Sequence, residues 1–204
     1  MTQVSRASLR KSLRAARRAL TPRQQLLAAN RLYHRISHQR YYLRARRIAF
    51  YLAGDGEIDP GLLLADALAR GKHCYLPCLH PCRPNSLMFL RYRQGEPLFP
   101  HPWGMLEPSP RRAKPIPARA LDLVFIPLVG FDSQGNRLGM GKGFYDRSFA
   151  FRRRAGRCSP KLVGLAHECQ KVEKLENQDW DVRMDKIESD QSAYRTDAIS
   201  GKQS

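Results

Sequence analysis

Between residues 7 and 20, apolar positions recur at helical spacing. Leu9, Leu13, Ala16 and Leu20 share one face, and Arg6, Arg10, Arg14 and Arg17 share another, spaced so that neighbouring side chains project together. Thr21-Pro22 reads as an N-cap followed by a first-turn proline. It opens a second helix with Leu26, Ala29, Tyr33 and Ile36 inward. Residues 48–53 form an apolar run with the length of a buried strand, and Gly54-Asp55-Gly56 is a loop. Asp59-Pro60 caps a third helix, which Gly71 closes. Residues 73–77 and 86–91 read as strands, and prolines crowd 97–117 into an irregular surface segment. Residues 121–127 are the most apolar strand. A helix over 143–153 and a last central strand over 161–167 follow. The polar, aperiodic stretch from 187 onward predicts fraying.

Strands alternating with helices predict an α/β fold in three layers, with a mostly parallel central sheet flanked by helices and basic helices at the N-terminus. Residues 1–186 form a single domain and 187–204 a polar tail. No run of about 18 apolar residues predicts a membrane span. The five cysteines fit no even disulfide framework, so the cytoplasm is the expected compartment. The formal net charge is +18, and no Asp or Glu precedes Asp55, whereas thirteen Arg and Lys do. Such a field attracts polyanions, although most of these arginines read as solvated surface.

Chemistry concentrates in the stretch from Arg137 to Arg147. Gly139, Gly141 and Gly143 alternate around Lys142, and Tyr145 and Asp146 follow at once. Alternating glycines let backbone N–H groups turn toward an anion, and phosphate is the usual one. Lys142 adds a point charge, and Asp146 suits the magnesium of a nucleoside triphosphate. The spacing is neither a Walker A loop nor a dinucleotide fingerprint: five residues separate Gly135 from Gly141, and Gly143 stands where the hydroxyl would be. Ligands in parallel α/β sheets sit at strand carboxyl ends. Convergence of this loop with residues 54–57 would place an acid beside a phosphate site.

The block Pro127-Leu-Val-Gly-Phe-Asp132-x-x-Gly135-x-Arg137-Leu-Gly-Met-Gly-Lys-Gly-Phe-Tyr-Asp146-Arg147 resembles the 5-formyltetrahydrofolate cyclo-ligase (methenyltetrahydrofolate synthetase) family. Further matches run in order: Arg6 and Arg10, Gly56-Glu57-Ile-Asp59, Gly71-Lys72, Glu107-Pro108, His167-Glu-Cys-Gln170, Glu173-Lys174-Leu175 and Asp181. The resemblance spans roughly residues 6–185. It implies an ATP- and Mg²⁺-dependent ligase, monomeric, acting on a small folate substrate, 5-formyltetrahydrofolate, with polyglutamylated forms within reach of the arginines. It requires neither membrane nor nucleic acid.

It also implies roles. Arg6, Arg10, Arg137, Leu138, Gly139, Met140, Gly141, Lys142, Gly143, Phe144 and Tyr145 would bind ATP. Glu57, Met140, Lys142 and Phe144 would contact folate. Lys142, Arg137 and Tyr145 would serve catalysis, and Asp146 and Asp181 would hold Mg²⁺. The chain departs from the family pattern at Arg6, often lysine, at Glu176, usually proline, and in the acidic run Glu188-Ser-Asp190. Two other readings compete: a nucleic-acid module built on the basic N-terminal third with Tyr33, Tyr41 and Tyr42, and a sugar-phosphate or CoA enzyme of similar architecture. His73, Cys74, Cys78, His80 and Cys82 lack the paired spacing of a structural zinc site.

Overall fold

A computed structural model describes residues 5–80, 83, 85–100, 106–109, 115–153 and 160–195. Along the chain run α1 (Arg6–Arg18), α2 (Pro22–Ile36), α3 (Arg40–Arg44), β1 (Arg47–Ala49), α4 (Gly61–Ala69), β2 (His73–Leu79), β3 (Leu87–Tyr92), β4 (Leu98–Pro100), β5 (Leu106–Pro108), β6 (Pro115–Ile116), β7 (Leu123–Pro127), β8 (Gly130–Phe131), β9 (Arg137–Leu138), α5 (Phe144–Ser148), β10 (Lys161–Ala166), β11 (Lys186–Ser189) and β12 (Ala193–Arg195). Among the described residues, eight strands form one sheet in the order β12-β11-β10-β7-β1-β2-β3-β6. The strands from β11 to β2 are parallel, as expected. β3, β6 and β12 join antiparallel at the margins. β3 has no alternative, because the link from β2 is too short for a parallel crossover.

Alternation along β7 splits the core. Leu123 and Phe125 face a cluster with Ala28, Leu32, Ile36, Leu63 and Ala67 of α2 and α4. Val124 and Ile126 face the opposite side with Phe149, Met184 and Ile187. Helices flank both faces, giving the three layers. Thr21 caps α2 with a full capping box, its hydroxyl accepting from Gln24 N while its own N–H donates to the Gln24 side chain.

Several boundaries differ from the sequence reading. α2 buries Ala28, Ala29, Leu32 and Ile36, not Leu26, which is 62% exposed. The small residues at 28 and 29 let α2 approach the sheet on a face rotated from the expected one. The run 48–53 pairs only over Arg47–Ala49, although Phe50 and Tyr51 stay buried. The helix expected over 143–153 ends at Ser148 and resumes as a 3₁₀ turn at Ala150–Arg153. The proline-rich segment holds the β4–β5 pair and β6, while its residues 101–105 and 110–114 lie outside the described residues, as do Cys82 and 196–204.

The largest correction concerns the tail. Ile187, Glu188 and Ser189 are buried in β11, alongside β10. Lys186 ion-pairs with Glu188, whose carboxylate also accepts from Tyr41 Oη at 3.0 Å, and the Lys186 ammonium lies over the Tyr41 ring. Internal neutralisation lets a polar sequence be buried, so hydropathy alone misses the strand.

Candidate functional site

β1, β7 and β10 are parallel, so the loops that leave their carboxyl ends emerge on one edge. α1 lies across these loops. Its Arg6 guanidinium pairs with Asp181 at 3.2 Å, Arg10 Nε donates to Gly139 O at 2.9 Å, and Arg14 and Arg17 reach Asp55 at 2.8 and 2.7 Å. Leu13 packs beside them with Val129, Leu138 and Leu175. The arginine and leucine stripes are thus adjacent and both face inward, and the arginines are not simply a solvated face. Arg17 is fully buried.

The glycine–lysine loop sits at the Arg10 end. Gly141 and Gly143 have φ of 97° and 65°, left-handed backbone that the alternating glycines permit. Met140 is 51% exposed, and the Lys142 residue is exposed. α5 behind the loop has only five residues, so its dipole is small and the loop's own amides must supply most of the anion field. The Leu138 side chain is buried in the α1 cluster, leaving only its backbone to meet a ligand. Arg147 ties the loop down, donating to Lys142 O and, at 2.9 Å, to Asn85 O.

Arg137 lies beneath. It is buried, ion-paired with Asp146, and donates to Val182 O at 3.2 Å. Asp146 also accepts from Val182 N at 3.0 Å, and Asp181 precedes that valine. One of the two carboxylates expected to hold Mg²⁺ is therefore tied to the residue that follows the other. Asp181 accepts from Gln178 N at 3.1 Å. Two hard carboxylate oxygen donors are of the type that suits Mg²⁺, which takes one or two carboxylates alongside phosphate oxygens and water. Burial and the neighbouring Arg6 lower the pKa of Arg10, against Asp181, yet a guanidinium stays charged at any ordinary pH.

Across the site, Glu57 Oε2 accepts from Gly54 N at 3.2 Å, and its carboxylate lies 3.7 Å from Arg17. Burial pushes its pKa up, opposed by Arg17 and Gly54. Tyr145 stacks on Phe149 at 6.4 Å, with burial and the Glu57 charge holding its phenol neutral. Glu57 and Tyr145 thus lie within electrostatic reach of each other. Phe144 is half-buried at the start of α5.

Several residues were not singled out from sequence. Arg17 and Asp55 brace the 54–57 loop. Asp132, fully buried, accepts from Gln134 N, Asn136 N, Asn136 Nδ2 and Leu175 N. The spacing Asp132-x-x-Gly135 was the available signal for that turn. Lys72, part of the resemblance, is structural: its ammonium donates to the carbonyls of Tyr42, Leu43 and Ala45 at 3.1, 2.8 and 2.7 Å. Cys74 and Cys78 are buried in the sheet, where desolvation pushes both thiols up to about 12.

A family profile described as the 5-formyltetrahydrofolate cyclo-ligase family matches residues 2–189. A Haemophilus influenzae protein named 5-formyltetrahydrofolate cyclo-ligase is 38% identical over 182 residues, covering 89% of this chain and 96% of that protein. A mouse protein of the same name is 28% identical over 187 residues, covering 89% and 90%. The NMR structure of Aquifex aeolicus 5,10-methenyltetrahydrofolate synthetase superposes with a TM-score of 0.81 at 24% identity, covering 98% of this chain and 96% of that one, a likeness of fold.

Proposed function

The chain belongs to the 5-formyltetrahydrofolate cyclo-ligase family and is an enzyme, and from that premise we propose that it cyclises 5-formyltetrahydrofolate to 5,10-methenyltetrahydrofolate with conversion of ATP to ADP and phosphate. The observation that carries the reading is the convergence of an exposed Gly-Lys-Gly loop, two helix-borne arginines and two carboxylates on one strand edge.

A formyl oxygen is a poor leaving group and must first become a phosphate. It attacks the γ-phosphorus of ATP, ADP departs, and an iminium phosphate forms. The folate amine at position 10 then attacks the activated carbon, which closes the five-membered ring; the amine releases its proton and phosphate leaves, giving the methenyl cation. Phosphoryl transfer asks for positioning and charge neutralisation more than for covalent help.

The backbone amides of Gly139 to Gly143 cradle the triphosphate, and Lys142 neutralises oxygens that gain charge in the transition state. Arg6 and Arg10 close over the phosphates from α1. Arg137 works from below, holding Asp146 in place at the loop's base. Asp146 and Asp181 are the residues to hold Mg²⁺, which when bound neutralises phosphate charge. Met140 and Phe144 give folate an apolar flank, and Glu57 contacts its polar edge opposite Tyr145.

The test mixes purified protein, 5-formyltetrahydrofolate and Mg²⁺-ATP and follows methenyl product by near-ultraviolet absorbance. Product from the parent protein and little from Lys142→Ala is expected. A folded parent protein that makes none would overturn the proposal.

A further inference from the structure

We infer that Arg17 is a positioning residue for the ligase reaction, acting through the 54–57 loop to hold the Glu57 carboxylate against folate. The inference rests on the reading of Glu57 as a folate contact.

Arg17 is fully buried near the C-terminal end of α1 and touches two separate parts of the site. Its Nε donates to Asp55 O at 2.8 Å and one terminal nitrogen to Asp55 Oδ2 at 2.7 Å, with Glu57 Oε1 3.7 Å from the same nitrogen. The other terminal nitrogen donates to Leu128 O at 3.2 Å, at the end of β7. One planar fork therefore couples the loop after β1 to the strand that leads into the glycine–lysine block. A lysine cannot reproduce that set, having one nitrogen in place of three.

The loop it grips is not self-supporting. Asp55 and Gly56 both lie in left-handed backbone, with φ of 55° and 74°. A Cβ on Gly56 would meet Arg17 O at 3.1 Å and Arg18 Cα at 3.3 Å, so the loop rests directly on α1. Arg14 and Arg18 complete the grip on Asp55, and Gln25 Nε2 donates to both Arg17 O and Gly56 O. Five residues later than Asp55, the chain is already entering α4. Glu57 has no hydrogen bond to another element among the described residues, only its own loop's Gly54 N. Its location is set by what holds the loop, and Arg17 is the member of that brace that comes within 4 Å of the carboxylate, the Arg14 charge acting on it less strongly. The groups facing Glu57 are Arg14 and Arg17 from α1, Asp55 on its loop, Tyr51 and Tyr145.

The experiment is a double-mutant cycle with an independent readout of Glu57. Arg17→Met should lower turnover of 5-formyltetrahydrofolate by on the order of tenfold to a hundredfold, as a small misplacement does, with the KM for ATP within about twofold of the parent. The Glu57 carboxyl, followed by NMR, should titrate at higher pH once the cation is gone. Arg17→Lys should restore the titration but not the turnover. In a Glu57→Gln background, Arg17→Met should add little further loss. If Arg17→Met does not fold, Gly56→Ala tests the same brace and should give the same non-additivity with Glu57→Gln. A Glu57→Gln defect to which the Arg17 or Gly56 loss simply adds sinks the positioning role alone, as does an unmoved Glu57 titration. Glu57→Gln with parental folate kinetics sinks the folate-contact reading beneath it.

Discussion

Residues 127–138 and 139–147 are contiguous, belong to one motif, and do opposite work. In the first half Leu128, Val129, Phe131, Asp132, Arg137 and Leu138 are buried, and the polar groups of Asp132 and Arg137 are tied to neighbouring amides, carbonyls or carboxylates. In the second half Met140 and Lys142 face solvent beside Gly141 and Gly143, whose backbone only glycine adopts easily. A family-specific block can therefore be half buried scaffold and half exposed loop. Sequence similarity weights the halves equally, and burial separates them.

Substitutions in the two halves should sort by observable. Lys142→Ala removes a cation from the exposed half. It should lower kcat/KM by about 10²–10³-fold, the size seen when one preorganised charge-stabilising group is removed. Its melting temperature should stay within a degree or two, because surface changes rarely move stability by more than about 0.5 kcal/mol. Asp132→Ala should do the reverse. It strands three backbone N–H groups and an amide, so unfolding in urea should show a loss of about 3 kcal/mol, while the folded fraction keeps its turnover. A stable but inactive Asp132→Ala would erase the distinction.

Arg137 and the residues near it straddle the boundary, and the carboxylates they meet give a sharper test. Asp181→Asn keeps the size of a side chain whose oxygen meets Arg6 and Gln178 N. The Mg²⁺ concentration for half-maximal activity should rise by about tenfold, with little change in stability. An unchanged Mg²⁺ midpoint would leave Asp181 as a partner of Arg6 and Gln178 with no part in holding the metal.

How much of this was legible beforehand depends on what kind of interaction decides each residue. α1, α2, the parallel core and the glycine–lysine loop follow from periodicity, caps and turn chemistry. β11 did not, because Lys186 and Glu188 are buried only by virtue of each other and Tyr41. Arg17 was visible as one of four helix arginines, but its burial depends on Asp55, 38 positions later, and no local pattern carries that pairing. Asp55 itself makes a pH prediction. Burial alone would raise its pKa, but hydrogen bonds from Arg14, Arg17 and Arg18 outweigh burial and hold it well below the usual carboxylate range. Its contribution is complete above the unfolded-state pKa of about 4 and is lost as pH falls below that. Parent protein should thus lose on the order of 1 kcal/mol more stability between about pH 5 and pH 2 than Asp55→Asn does, the partly exposed carboxylate limiting the effect.

The smallest effect is expected where the sequence pattern and the structure disagree most plainly. Leu26 fits an inward helical stripe with Ala29, Tyr33 and Ile36, yet it is 62% exposed, while Leu32 on the same helix is fully buried. If α2 docks through Ala28, Ala29, Leu32 and Ile36, then Leu26→Gln removes little buried apolar area and should change unfolding free energy by less than about 0.5 kcal/mol. Leu32→Ala should cost about 2–5 kcal/mol, because it deletes buried methyl groups and leaves a cavity against Leu63 and Phe125. Urea unfolding of the two variants side by side reads the rotation of the helix directly. Equal losses at the two positions would mean that α2 docks on the face the periodicity first picked out.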